Sequence, residues 1–159
     1  MAIFDIIGPV MVGPSSSHTA GAVRIGYVSG KLLGEPVKKA VINLYGSFLA
    51  TGKGHGTQKA IVAGLLGMKT DDMRIPQSFE IAKAKGIEFE FGEAVLKDAH
   101  PNTVQLCLIG QSGRQLEVVG ESIGGARINI AKIDGIDTNF SGDYPTLVVH
   151  NIDQPGHVS

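Results

Sequence analysis

The sequence predicts an α+β fold in which helices pack on one face of a mixed, largely antiparallel sheet, in the order α-β-α-β-β-β. Two observations carry this. Residues 19–33 and 57–66 place apolar side chains at helical spacing on either side of an alternating run at 37–45. Residues 103–109, 115–119 and 126–133 then alternate as strands joined by short glycine-bearing turns. A doubly wound parallel sheet would need helix-crossed strands to recur, and they do not. With 159 residues, 43% apolar and 18% charged, the chain can bury one real core.

Residues 1–18 read as irregular, punctuated by Gly8-Pro9 and Gly13-Pro14. The first helix, 19–33, stops at Gly34 with Pro36 beyond. Gly21, Gly26 and Gly30 inside it each cost about 1 kcal/mol relative to Ala, so a neighbour must press closely on this helix. In the strand at 37–45, Ala40, Ile42 and Leu44 share one face. A loop at 46–56 leads into a buried helix at 57–66, nearly all apolar after its first turn and closed by Gly67. Pro76, Phe79, Ile81 and Ala82 ahead of Gly86 mark a shorter surface helix, and 87–91 alternates as a half-exposed strand. The three-stranded meander turns at Gly110-Gln111-Ser112-Gly113 and at Gly124-Gly125. Asp143-Tyr144-Pro145 then marks a turn, and 146–150 begins another strand. One late strand packs no core of its own, so 1–145 is expected to be a domain and 146–159 the opening of a second.

A formal charge of −1 without any Lys/Arg block speaks against nucleic-acid and membrane-surface partners. No apolar stretch approaches the ~18 residues of a membrane span. Residues 2–7 contain Asp5 and lack the basic lead of a signal peptide, so a cytoplasmic protein is expected. The single cysteine excludes a disulfide framework, a cysteine-rich zinc site and any iron–sulfur cluster held by this chain alone. The 22 glycines are about twice the usual share of ~7%.

Two of the glycine clusters coincide with polar side chains. In Gly13-Pro14-Ser15-Ser16-Ser17-His18-Thr19, three hydroxyls and an imidazole open a helix, whose free N–H groups and positive dipole end suit a carboxylate or phosphate. The competing reading is that one serine caps the helix and the others are solvated. In Ser47-Phe48-Leu49-Ala50-Thr51-Gly52-Lys53-Gly54-His55-Gly56-Thr57, a bare backbone presents Lys53 and His55 ahead of the second helix. Such a loop can bind an anion, and His55 is a candidate base near neutral pH. It is not a phosphate-binding loop of the Walker type, because Lys53 is followed by Gly54. Its competing reading is a flexible surface loop with a solvated lysine. His18 and His55 have no nearby carboxylate, so no metal site is expected. His100 reads as a loop residue, Cys107 as a buried inert thiol and Arg127 as an exposed strand residue.

In combination, Gly13-Pro14-Ser15-Ser16-Ser17-His18-Thr19 and Thr51-Gly52-Lys53-Gly54-His55-Gly56-Thr57 resemble two signature segments of the iron–sulfur-dependent L-serine dehydratases. His100-Pro101-Asn102-Thr103 and Ser122-Ile123-Gly124-Gly125 are similar to further family segments, in the same order. The likeness covers residues 3–145 and is nearest the separate β chain of the two-subunit form. The stretch 147–156 is similar to the first strand and loop of an ACT domain, which would be truncated here.

The resemblance implies conversion of L-serine to pyruvate and ammonia, with a [4Fe–4S] cluster carried by a partner α chain and none bound by this chain alone. In that chemistry an open iron acts on the serine hydroxyl as a Lewis acid while a base removes the Cα proton. It implies a fold like the substrate-binding domain of some phosphoglycerate dehydrogenases, and it allows a homodimer through this domain. By residue-wise carry-over, Ser15, Ser16, Ser17 and Thr19, with Gly54, would bind substrate. His55, His18 and Lys53 would be catalytic, with His55 as base and His18 as orienter or proton partner. The alternative is a regulatory domain that only senses serine. A sensor needs anion donors but no titrating histidine on a bare loop, which favours the enzyme. A phosphate-binding metabolic domain would rest on the anion-friendly loops alone.

Overall fold

A computed structural model describes residues 16–51 and 56–141. The chain enters through a π-helical turn, Ser16–Ala20, that runs directly into α1, Gly21–Leu33. Strand β1 (Val37–Gly46) is followed by the short α2 (Ser47–Thr51) and by α3 (Gly56–Leu65). A 3-10 turn at Ile75–Gln77 leads into α4 (Ser78–Ala84) and then β2 (Glu88–Glu93). The strands β3 (Asn102–Gly110), β4 (Gln115–Gly124), β5 (Arg127–Ile133) and β6 (Ile136–Phe140) complete the described chain. They form one mixed sheet in the order β2-β1-β3-β4-β5-β6. Only β1 and β2 run parallel; every other neighbouring pair is antiparallel. The predicted α+β class is thus the class observed.

Alternation divides the sheet into a dry face and a mixed one. Ala40, Ile42, Leu44, Val104, Leu106, Leu108, Val118 and Ile130 point one way and are buried under Val23, Ile25, Leu33 and Ile61 of the helices. At the β2 edge, Phe79 of α4 stacks obliquely on Phe89 and Phe91, with ring centroids 5.1 and 5.7 Å away. The other face carries polar cross-strand pairs, Asn43 to Gln105, Gln105 to Glu117 and Asn129 to Glu121. Cys107 lies on that second face and is half-buried, not buried as expected. Burial and then the nearby Glu117 carboxylate push its thiol pKa up.

Gly21 and Gly26 of α1 have the close neighbour that their cost demanded, whereas Gly30 does not. A methyl on Gly26 would run into the Ile61 carbonyl oxygen, and one on Gly64 into the Val23 carbonyl oxygen. The two helices therefore cross backbone against backbone. Ser29, also buried in α1, has no hydrogen-bond partner for its hydroxyl among the described residues.

Four local expectations are corrected. Ser16–His18, expected to be irregular, already belong to the π-helical turn, and Ala20 precedes α1 with helical dihedrals and no side-chain cap. Residues 47–51, expected as loop, form α2 because Phe48 is completely buried and Leu49 packs against the core, which folds the segment onto the sheet. Ala126 sits in the β4–β5 turn with φ +65° instead of opening β5. Strand β6 was not expected, since its exposed, polar pattern carries little alternation. Its signal is Asp134-Gly135, with φ +51° and +80°, the dihedral pair of a tight hairpin. The turn and strand expected beyond residue 142, and with them the second-domain opening, lie outside the described residues.

Between α3 and the 3-10 turn, Arg74 holds the Asp72 carboxylate with guanidinium bonds of 3.0 and 2.8 Å and a backbone N–H bond of 2.8 Å. These hydrogen bonds lower the carboxyl pKa from 3.8 to about 2. The fold thus favours the ionised form, so the pair's contribution is present above about pH 4 and lost as pH falls toward 2. Asp72→Asn should flatten the fall of Tm across that window; an unchanged slope would show that the pair does not form. At the helix crossing, Gly64→Ala should lower unfolding free energy by roughly 2 kcal/mol in urea denaturation. Gly30→Ala should not, because its methyl would meet the Leu65 carbonyl oxygen at 3.5 Å, an ordinary contact.

Candidate active site

The polar end of the molecule is built where β1 leaves the sheet. Gly46 has φ +63°, and a methyl there would run into the Pro101 carbonyl oxygen. The same oxygen accepts the Ser47 N–H at 2.6 Å, so the step from β1 into α2 is pinned to the chain entering β3. That entering segment bonds to itself. The Asn102 N–H donates to His100 Nδ1 at 3.0 Å, and the Thr103 hydroxyl donates to the His100 carbonyl at 2.6 Å. His100 is thus a loop residue, as expected.

Gly46 is paired with Asn102 across β1 and β3. The β3–β4 register pairs Val104 with Gly120 and Thr103 with Glu121, and one further step sets Ser122 beside Asn102. Ser122 is completely buried, and Gly21 is seated against it with no room for a methyl. Gly46, Asn102 and Ser122 therefore form a row of short residues at the sheet end, with the start of α1 resting on it. Arg24 of α1 secures the adjoining β4–β5 turn by donating to the Ala126 carbonyl at 3.1 Å.

The π-helical turn brings His18 over this end. Its Nε2 lies 3.1 Å from Ser47 Oγ, and its ring tilts 58° to buried Phe48 at a centroid distance of 5.7 Å. Thr19, next in the turn, is 3% exposed, and its Oγ1 has no hydrogen-bond partner among the described residues. Asn102 Oδ1 is likewise buried and unpartnered there. Thr57, in the first turn of α3, is also buried.

Of the residues singled out from the sequence, His18 and Thr19 are thus brought to one place. Ser16 and Ser17 belong to the same turn, and their side chains lie outside the description, as do Ser15, Lys53, Gly54 and His55 altogether. Ser47 and Asn102 lie in segments singled out from the sequence, but neither was assigned a role. Their signals were a hydroxyl directly after the glycine that ends a strand, and an amide in the His100-Pro101-Asn102-Thr103 corner.

Chemically, a hydroxyl–imidazole pair can hold or pass a proton. Two buried oxygens without partners can accept hydrogen bonds from a small polar ligand. Among the described residues no group of three His, Cys, Asp or Glu could hold a metal ion. No helix among them is long and apolar enough to cross a membrane.

Fold and site together define an α+β domain with a Ser/His turn laid over the end of its mixed sheet. The family model described as serine dehydratase beta chain matches residues 2–132, and the chain belongs to that family. It is 49% identical over 151 residues to the probable L-serine dehydratase, beta chain, of Bacillus subtilis, covering 94% of this chain and 68% of that one. It is 43% identical over 157 residues to the L-serine dehydratase, beta chain, of Peptoniphilus asaccharolyticus, covering 98% and 71%. The L-serine dehydratase of Mycobacterium bovis is 29% identical over 172 residues, which cover 93% of this chain and 36% of that protein.

Ser47→Ala should shift the ring resonances of His18 in 1H–15N spectra and cost about 1 kcal/mol of stability. An unchanged His18 spectrum would mean that the bond does not form in solution.

Proposed function

We propose that this chain is the substrate-handling half of an L-serine dehydratase, completed by an α chain that carries a [4Fe–4S] cluster. One observation supports this most. The hydrogen bond between His18 and Ser47 joins the Ser-Ser-Ser-His-Thr motif to the head of the segment that carries Gly-Lys-Gly-His-Gly, across 29 positions of sequence. Ser47, at the head of that segment, thereby lies at the same end of the domain as the Ser/His turn. The names of the two β-chain relatives agree with this substrate.

This chain's own residues do not fit the cluster. It has one cysteine, and Cys107 sits on the sheet face turned away from the helices. In the proposed division of labour, the hydroxyls of Ser15, Ser16, Ser17 and Thr19, with the Gly54 backbone, bind serine. His55 takes the Cα proton, His18 orients the substrate or exchanges a proton, and Lys53 faces the reacting carbon. Loss of that proton and of the hydroxyl, which leaves as water, yields aminoacrylate. Tautomerisation and hydrolysis then give pyruvate and ammonia.

The test is anaerobic reconstitution with the α chain, followed by pyruvate measurement on L-serine. The complex should be active, while this chain alone should form no pyruvate and bind no iron. His55→Ala should lower turnover by at least about 100-fold with the cluster absorbance intact. Pyruvate formation by the isolated chain would sink the split site. Serine binding by a complex that forms no pyruvate would favour the sensor.

A further inference from the structure

We propose that Asn102 selects for the amino group of the ligand bound at this end of the sheet; the inference rests on the reading that a small amino acid binds there. Asn102 lies two residues before Val104, on the face of β3 that the helices cover. In the row Gly46–Asn102–Ser122 it has glycine on one side, where no side chain can reach it, and serine on the other. Its backbone N–H is already committed to His100 Nδ1, yet its Oδ1 is buried without a partner among the described residues. Thr19 Oγ1, in the turn that carries His18, is in the same condition.

Folded proteins seldom leave buried acceptors unmatched, and those that persist call for an explanation such as a ligand. An ammonium has three donors and no acceptor and can serve several such oxygens at once. A carboxylate has only acceptors and would be repelled by Asn102 Oδ1, whereas the Thr19 hydroxyl can donate as well as accept and serves either end of a ligand. The amine end of the ligand therefore belongs against Asn102.

The complex with the α chain decides this through competition constants against L-serine for two probes. Ethanolamine keeps the amine without the carboxylate, and 3-hydroxypropanoate keeps the carboxylate without the amine. Asn102→Leu should weaken ethanolamine and raise the KM for L-serine by about 10- to 100-fold, the worth of one hydrogen bond to a charged group. It should leave 3-hydroxypropanoate within about twofold. Asn102→Asp should retain amine selectivity, and the Tm of Asn102→Leu should be no lower than wild type, since an unpartnered atom is removed. Equal weakening of both probes, weakening of 3-hydroxypropanoate alone, or unchanged constants would overturn the inference. A wild-type complex that forms no pyruvate would fail the functional reading separately. The same probes titrated calorimetrically would then decide the role of Asn102, and absence of amine preference in the wild type would overturn it.

Discussion

Two helices meet backbone to backbone where Gly26 faces Gly64, and the spacing set there governs where both of them begin. Helix α1 grows out of the turn that carries His18 and Thr19, and α3 grows out of the segment that follows Lys53 and His55. Any side chain at the crossing would push the helices apart by the width of a methyl group or more, and their starting turns would move with them. Helix propensity opposes glycine at both places. That unfavourable choice is offset by burial of Val23, Ile25 and Ile61 on either side of the crossing.

The sheet contributes in a complementary way. Where β1, β3 and β4 run out, their large aliphatic side chains give way to Gly46, Asn102 and Ser122. Short residues lower the floor, so a turn of helix can sit directly on strand ends. The corner around His100 and Pro101 supplies the carbonyl that anchors Ser47. Hydroxyl and imidazole are thus positioned by main-chain hydrogen bonds and by packing on Phe48, rather than by long flexible side chains.

Much of this was legible in the sequence. Alternation found β1 and the meander, because those strands bury one face and expose the other. The glycine cost in α1 foretold a close neighbour without saying which one. What escaped notice had a local cause. Phe48 and Leu49 are only two apolar residues among glycines, too few to announce α2, and β6 is too polar to alternate. Ser47 and Asn102 matter through partners distant in sequence: His18 lies 29 positions from Ser47, and Gly46 meets Asn102 only through sheet register. Periodicity reads a residue's own face, not the neighbour that tertiary structure brings to it.

The one parallel pair in the sheet has a consequence for how such a domain can vary. An antiparallel neighbour of β1 could follow it after a two-residue hairpin, but a parallel one requires the chain to travel back across the sheet before pairing. That return journey holds α2, α3, α4 and the whole glycine-bare segment between α2 and α3. The segment is therefore spliced into a connection that the topology already obliges to be long. The turns elsewhere in the crossover can change length without disturbing a strand pairing, so this frame tolerates variation there that a two-residue hairpin beside β1 would not.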